Sequence, residues 1–209
     1  SLHDIGGVVR LQKMVLIGSF AIETVGALIL TLRLWPDYGF PTALRWGIFH
    51  SVSAFCNAGF DIFGVIAPGQ SLIPFQSDPV ILLTLSVLIV IGGLGFLVWE
   101  EIVQRRHFRK FSVYTKLVLI MTLGLIVTGW IMICLLEWNN PDTLGSMTTG
   151  GKLLNGFFQS VTMRTAGFAA VDQAKLTEGA KGFACVMMII GGSSGSTAGG
   201  IKTVTFLVL

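Results

Sequence analysis

A short sequence occurs twice in this chain, each time ahead of a glycine. FHSVS at 49–53 precedes NAGF at 57–60, and about 108 residues later FQSVT at 158–162 precedes TAGF at 165–168. Glycine adopts backbone angles that other residues resist, so a chain at these positions can turn successive carbonyl oxygens to one side. Such oxygens can replace the water shell of a cation. Because one loop cannot surround an ion, the duplication favours a cation site that is shared by repeated loops.

The composition indicates which elements hold these loops. Of the 209 residues 53% are hydrophobic and only 12% are charged, whereas a soluble domain carries about 25% charged residues. About 20 apolar residues cross the hydrocarbon core as a helix, and the predicted spans are 14–35, 79–99, 114–137 and 182–209. We therefore predict an all-α membrane protein in which a transmembrane helix, a pore helix, a filter loop and a second transmembrane helix form a repeated unit.

Two short helices are predicted between the spans, at 42–55 and 152–163, with Pro41 and Thr149 placed at their starts. Their length crosses about half a membrane. If each enters the bilayer end-on, its C-terminal end carries about half a negative charge, which favours a cation there. A helix lying flat at the interface fits the pattern of each segment equally well, but the repeat favours re-entry.

Basic residues set the predicted orientation. The segment after the second span carries few acids, Glu100 and Glu101, and a larger basic set: Arg105, Arg106, Arg109, Lys110 and Lys116. Under the positive-inside rule this segment is cytoplasmic, although segment 138–181 carries basic residues as well. The predicted organisation is a cytoplasmic lead-in at 1–13, a first repeat at 14–99, a basic cytoplasmic linker at 100–113 and a second repeat at 114–209. Both filter loops then enter from the extracellular side.

A glycine-rich stretch at 191–203 interrupts the last apolar segment, and three interpretations compete. A phosphate-binding loop is disfavoured because Ile201 separates the glycine from Lys202 and no soluble strand precedes it. Two overlapping GxxxG steps would suit helix packing. The third interpretation is a broken helix, since each glycine costs about 1 kcal/mol against alanine in a helix. Non-helical backbone at membrane depth must be buried in protein or face water, so this loop would lie under the filter as a gate.

Enzymatic chemistry has little support. Three cysteines, Cys56, Cys134 and Cys185, are scattered over apolar segments, and the three histidines form no cluster. No nucleophile stands with a base and an orienting group. The sequence predicts that the chain is not an enzyme and has no cofactor of its own.

Two charged residues need partners at the predicted membrane depth. Glu23 lies in the middle of the first span, where hydrogen bonds within the protein are favoured over ion binding. Arg164 directly precedes the second filter loop. Because a cation beside an ion path would repel the ion, we expect Arg164 to point away and to brace the loop through an acidic or carbonyl partner.

The strings at 57–60, 164–168 and 191–203 resemble those of the Trk/Ktr/HKT superfamily of potassium transporters, and of KtrB-like pore-forming subunits most closely. The resemblance covers nearly the whole chain. Members have four such repeats around one pore, and this chain resembles the second and third, so we expect an internal piece of a longer protein. The resemblance implies potassium uptake at the cell membrane, homodimers, and a cytosolic KtrA-like ring that binds ATP or ADP and regulates the gate. No nucleic-acid partner is expected.

The resemblance also implies site residues. The filter backbone would comprise Cys56, Asn57, Ala58, Gly59, Phe60, Thr165, Ala166, Gly167 and Phe168. The K⁺ ligands among them would be the carbonyls of Asn57, Ala58, Gly59, Thr165, Ala166 and Gly167. The gate would comprise Gly191, Gly192, Ser193, Ser194, Gly195, Ser196, Thr197, Ala198, Gly199, Gly200 and Lys202. The alternative is a polytopic helix-packing scaffold that transports nothing, which would explain the spans but not the repeated pore helix and loop.

Overall fold

The structure, a computed structural model, describes residues 2–164, 166–190 and 196. The regular elements of these residues are helical: α1 (Leu2–Tyr38), α2 (Phe40–Phe55), α3 (Pro79–Leu94), α4 (Phe96–Arg105), α5 (Val113–Glu137), α6 (Thr149–Thr162) and α7 (Glu178–Ile189), with short 3₁₀ turns between them. This confirms the predicted all-α class. Thr165 and the predicted gate, except Ser196, lie outside the described residues.

Two of these helices are long and apolar enough to cross a membrane. They are α1 from Val9 to Tyr38 and the whole of α5, which correspond to the first and third predicted spans. Pro41 lies in the first turn of α2, as predicted, and α2 and α6 match the two short helices. α6 is capped by Thr148 rather than Thr149, because Thr148 has extended backbone and its Oγ1 accepts a hydrogen bond from Gly151 N at 3.2 Å.

The prediction that the second span runs from 79 to 99 is wrong at the C-terminal end. α3 starts as expected, with the Asp78 carboxylate accepting hydrogen bonds from Val80 N and Ile81 N at 3.0 and 3.2 Å. It ends at Leu94, and α4 leaves it at an angle of 95°. The turn is made by Gly95, whose φ of 91° and ψ of 148° are open to glycine alone.

In the first repeat α2 lies antiparallel to α1. Gly47 packs against α1 so closely that an added Cβ would lie 2.8 Å from the Ala27 carbonyl oxygen. One turn further along α2, Ser51 Oγ donates a hydrogen bond to the Glu23 carbonyl at 2.6 Å. The C-terminal end of α2 therefore lies beside the middle of the first span. The chain then returns to the end of α1, where Asp78 forms an ion pair with Arg33 at 2.7 Å.

The second repeat uses the same contacts. An added Cβ on Gly156 of α6 would lie 2.6 Å from Cys134 Sγ of α5. Ser160 Oγ donates a hydrogen bond to the Ile126 carbonyl at 2.6 Å, as Ser51 does in the first repeat. The chain returns to the end of α5, where the Thr177 cap of α7 bonds to Glu137. Both short helices therefore run alongside a span rather than across its end.

Close packing at these junctions leads to a first prediction. A Cβ on Gly129 of α5 would collide with the Ser160 hydroxyl and lie 3.0 Å from Met163 Cε, whereas a Cβ on Gly124 of the same helix would have no described residue within 4 Å. We expect Gly129→Ala to destabilise the protein by about 1–3 kcal/mol through overpacking. Gly124→Ala should be neutral or stabilising by up to about 1 kcal/mol, since alanine favours a helix.

Thermal unfolding of the two variants of the full-length protein in detergent checks this difference. A lower midpoint for Gly129→Ala alone is the expected result. Equal midpoints for both variants would contradict the packing of α6 on α5 at this position.

Candidate cation-binding site

Each filter loop follows the C-terminal end of a short helix and contains a glycine in the left-handed region. Gly59 has a φ of 71° and Gly167 a φ of 87°. Counted from the equivalent residues Ser53 and Thr162, the first repeat has one more residue before its glycine than the second. Asn57, within this stretch of the first repeat, has a φ of 51°. Asparagine tolerates this conformation better than most residues, so the additional residue is accommodated without changing the position of the glycine.

One residue in each repeat bonds to its loop at two places. The Ser53 carbonyl accepts a hydrogen bond from Ala58 N at 2.9 Å, and its hydroxyl donates one to the Phe60 carbonyl at 2.7 Å. In the second repeat the Thr162 carbonyl accepts from Ala166 N at 2.9 Å, and its hydroxyl donates to the Phe168 carbonyl at 2.7 Å. Each loop is thus closed on the last turn of its own helix.

The two loops meet at their glycines. A Cβ built on Gly59 would overlap the Ala166 carbonyl oxygen and lie 2.7 Å from Gly167 Cα. A Cβ on Gly167 would lie 3.2 Å from Gly59 Cα. The tertiary structure thus brings together Gly59, Ala166 and Gly167, which the sequence places about 108 residues apart. Only glycine permits this approach of one backbone to the other.

Side chains of the short helices hold the chain that follows each loop. In the first repeat Ile62 N donates to His50 Nε2 at 3.3 Å, which leaves Nδ1 to carry the proton and donate to the Trp46 carbonyl at 2.6 Å. In the second repeat Gln159 at the same place exchanges two hydrogen bonds with Gln173, at 2.8 and 3.0 Å. Unlike side chains therefore serve the same structural purpose in the two repeats.

Backbone contacts also join the outer segments of the two repeats. Leu72 N donates to the Ala169 carbonyl at 2.9 Å, and Ala169 N donates to Ser71 Oγ at 3.3 Å. Asn155 on α6 donates to the Gln76 carbonyl at 2.7 Å. These bonds fix one loop relative to the other, which is required if both supply oxygens to one ion.

The predicted charged residues have different surroundings. The Glu23 carboxylate lies 3.9 Å from the thiol of Cys56, at the end of α2, so it faces the filter end of its own repeat. The Arg164 side chain is 7% exposed, and none of the described residues gives its Nε a hydrogen-bond partner. The acidic or carbonyl partner expected for Arg164 is therefore not found among the described residues.

Within the described residues, ionisable side chains do not form a metal site. No group of three or more His, Cys, Asp or Glu residues in the described part of the chain is placed to hold a metal ion. Backbone carbonyls are the oxygens that the loops can offer, and they suit an alkali cation held in place of its water shell.

Several supporting residues were not identified from the sequence. Ser51, Ser53, Ser160 and Thr162 lie within the repeated string, but no role followed from it. The sequence feature that could have identified them is a hydroxyl side chain at the same position of both copies. Glu137 gave no signal at all, because its partners lie up to 40 positions away.

The fold and the paired loops define the class of the protein: a multi-pass, all-α membrane protein built from two copies of one unit of span, short helix, loop and helix. A model of the TrkH family, described as a cation transport protein, matches residues 4–209. The chain therefore belongs to the TrkH family of cation transport proteins.

Individual relatives agree with this assignment. The chain is 41% identical over 205 residues to the Ktr system potassium uptake protein B of Bacillus subtilis (98% of this chain, 45% of that protein). It is 42% identical over 203 residues to the protein of the same name from Vibrio alginolyticus (95% and 43%). It is 37% identical over 209 residues to the potassium/sodium uptake protein NtpJ of Enterococcus hirae (100% and 45%).

A solved structure shares the fold. The crystal structure of the potassium transporter TrkH from Vibrio parahaemolyticus superimposes with a TM-score of 0.74 at 20% identity, covering 96% of this chain and 40% of that one. The chain spans less than half the length of these relatives. Their names describe transport or uptake, which confirms the prediction that the chain is not an enzyme.

Proposed function

We propose that this chain is part of the pore of a potassium transporter and that K⁺ crosses the membrane through a selectivity filter lined by carbonyl oxygens. The observation that carries the proposal is the contact between the Gly59 and Gly167 loops, each at the C-terminal end of a short helix that runs alongside a span. The names of the relatives support potassium as the cation. The ligands would be the carbonyls of Asn57, Ala58, Gly59, Thr165, Ala166 and Gly167.

The ends of two helices make the electrostatic potential at this site favourable for a cation. The C-terminal ends of α2 and α6 both point at the loops and together contribute partial negative charge. Arg164 is the opposing positive charge next to the second loop. The proposal needs its guanidinium to point away from the ion path, and the burial of this side chain supports that.

The remaining parts of the proposal concern control and orientation. The glycine-rich stretch at 191–203 would be the gate beneath the filter. The basic segment that contains Arg105, Arg106 and Arg109 would be cytoplasmic, so that both loops enter from the extracellular face. The complete subunit would form a homodimer on a cytosolic KtrA-like ring, and this ring would bind ATP or ADP.

Rubidium uptake by the full-length protein, in cells that lack their own potassium uptake systems, tests the proposal. Saturable uptake that K⁺ inhibits is the expected result, and its absence would favour a packing scaffold. A version shortened within 191–200 should show raised flux if the stretch is a gate. Unchanged flux would support helix packing by the GxxxG steps instead.

A further inference from the structure

We infer that Ser53 and Thr162 are positioning residues of the filter, and that their hydroxyls set the ion preference by fixing the last carbonyl of each loop. The inference rests on the proposed potassium filter and assigns it two side chains. Both residues are buried, at 6% and 4% exposure. Neither side chain needs to touch the ion, because each acts through the backbone that it holds.

The two bonds have the same length although the stretches of chain that they close differ by one residue. Ser53 Oγ reaches the Phe60 carbonyl over seven positions, and Thr162 Oγ1 reaches the Phe168 carbonyl over six, both at 2.7 Å. The additional residue of the first loop is taken up by the turn at Asn57, before the glycine. A bond that is kept while the loop length changes is a feature of both repeats rather than a result of one local conformation.

The direction of the bond determines what each loop can offer an ion. A carbonyl receives its hydrogen bond roughly along a lone pair, so the Phe60 and Phe168 carbonyls are turned towards the helices that carry the two hydroxyls. The oxygens left for the ion then come from the residues before each Phe. The same Ser or Thr also accepts a hydrogen bond through its carbonyl from Ala58 N or Ala166 N. The stretch from this alanine to the Phe is therefore anchored at both ends on one residue.

Anchoring matters because discrimination between alkali cations depends on the number and placement of carbonyl oxygens. Binding sites of this kind must be held within about 0.5 Å of the productive geometry. Freeing one end of a loop would let its oxygens move inwards around a smaller ion. The variant should then accept Na⁺ more readily relative to K⁺.

The test is the ratio of Rb⁺ to Na⁺ uptake by the full-length protein carrying Ser53→Ala or Thr162→Val. Each is expected to lower the ratio by about threefold to tenfold, the effect of losing one hydrogen bond. Ser53→Thr and Thr162→Ser keep the hydroxyl and are expected to keep the wild-type ratio. Since the readout is a ratio, it does not depend on how much protein reaches the membrane.

Matched controls come from the same two helices. Ser51 and Ser160 are also buried and also donate a hydrogen bond, at 2.6 Å, but to the spans rather than to the loops. Ser51→Ala and Ser160→Ala should lower stability while keeping the wild-type ratio. The two repeats provide independent tests, so a variant that fails to fold at one site leaves the equivalent variant at the other.

Two outcomes would overturn the inference. One is an unchanged ratio for Ser53→Ala and Thr162→Val in protein that transports Rb⁺. The other is a change that Ser51→Ala and Ser160→Ala reproduce, which would indicate a general loss of packing. A wild-type protein that transports neither cation would overturn the proposed function itself, and it is recognised before any variant is compared.

Discussion

Gly59→Ser is expected to reduce Rb⁺ uptake by the full-length protein more than tenfold and to abolish its preference for Rb⁺ over Na⁺. Two effects combine. A side chain at a φ of 71° costs about 1–2 kcal/mol. The new Cβ would also overlap the Ala166 carbonyl oxygen and press on the backbone of Gly167. Since the second loop would have to move, one substitution would change oxygens in both repeats.

Gly167→Ser should also lower Rb⁺ uptake and the preference for Rb⁺ over Na⁺, but by a smaller factor. Its φ of 87° carries a similar strain, but its Cβ would lie 3.2 Å from Gly59 Cα, so the neighbour must give by only a few tenths of an ångström. We therefore expect uptake and selectivity to be lowest in Gly59→Ser, intermediate in Gly167→Ser and highest in the wild type.

Substitutions at two glycines of the outer segment serve as controls that separate the effect of backbone strain from the effect of steric contact. Gly69 has a φ of 73°, and none of the residues that the structure describes lies within 4 Å of an added Cβ, so Gly69→Ser carries the strain of Gly59→Ser without its contacts. Gly64 has open space and no positive φ, so Gly64→Ser carries neither. If Gly69→Ser impaired selectivity as strongly as Gly59→Ser, strain in the outer segment and not the meeting of the loops would be the cause.

Glu137→Ala is expected to have the largest effect on stability, a loss of about 3 kcal/mol or more. The Glu137 carboxylate has no exposed surface and accepts four hydrogen bonds. One oxygen accepts from Thr177 N and Thr177 Oγ1 at 2.8 and 2.6 Å, and the other from Asn140 Nδ2 and Thr143 Oγ1 at 2.7 and 2.6 Å. Bonds to a charged acceptor contribute about 1.5–3 kcal/mol each, and the buried Thr143 hydroxyl would lose its acceptor.

The position of Glu137 explains why so much depends on it. It joins the end of α5 to the outer loop and to the cap of α7, whereas in the first repeat the ion pair between Arg33 and Asp78 joins the equivalent ends. Glu137→Gln keeps one acceptor oxygen but places an amide against donors, so it should be intermediate. Glu178→Ala is the control, because this side chain is 91% exposed and, among the described residues, pairs only with Lys181.

Thermal unfolding and the yield of monodisperse protein in detergent measure these effects. The expected order of stability is wild type and Glu178→Ala together, then Glu137→Gln, then Glu137→Ala. Similar midpoints for Glu137→Ala and Glu178→Ala would be incompatible with the buried network.

The helices were largely predictable because their signals are local. Pro41 in the first turn of α2 and Asp78 before α3 act through their nearest neighbours in the chain. The bend at Gly95 was not predicted, because a glycine within an apolar run is equally compatible with close packing inside a straight helix. At the site, the positive φ of the two filter glycines agrees with their residue type, whereas the expected partner of Arg164 is not present among the described residues.

By itself the sequence determined the first and third spans, the repeated unit and the two glycines that carry the filter hypothesis, because hydropathy, repetition and residue type need no knowledge of distance. The tertiary structure decided that the Gly59 loop touches the Gly167 loop, that Ser53 and Thr162 each bond to a loop at two places, and that Glu137 holds the outer end of the second repeat. These contacts join residues whose distance in space cannot be read from their distance along the chain. They form only when whole helices have packed against one another.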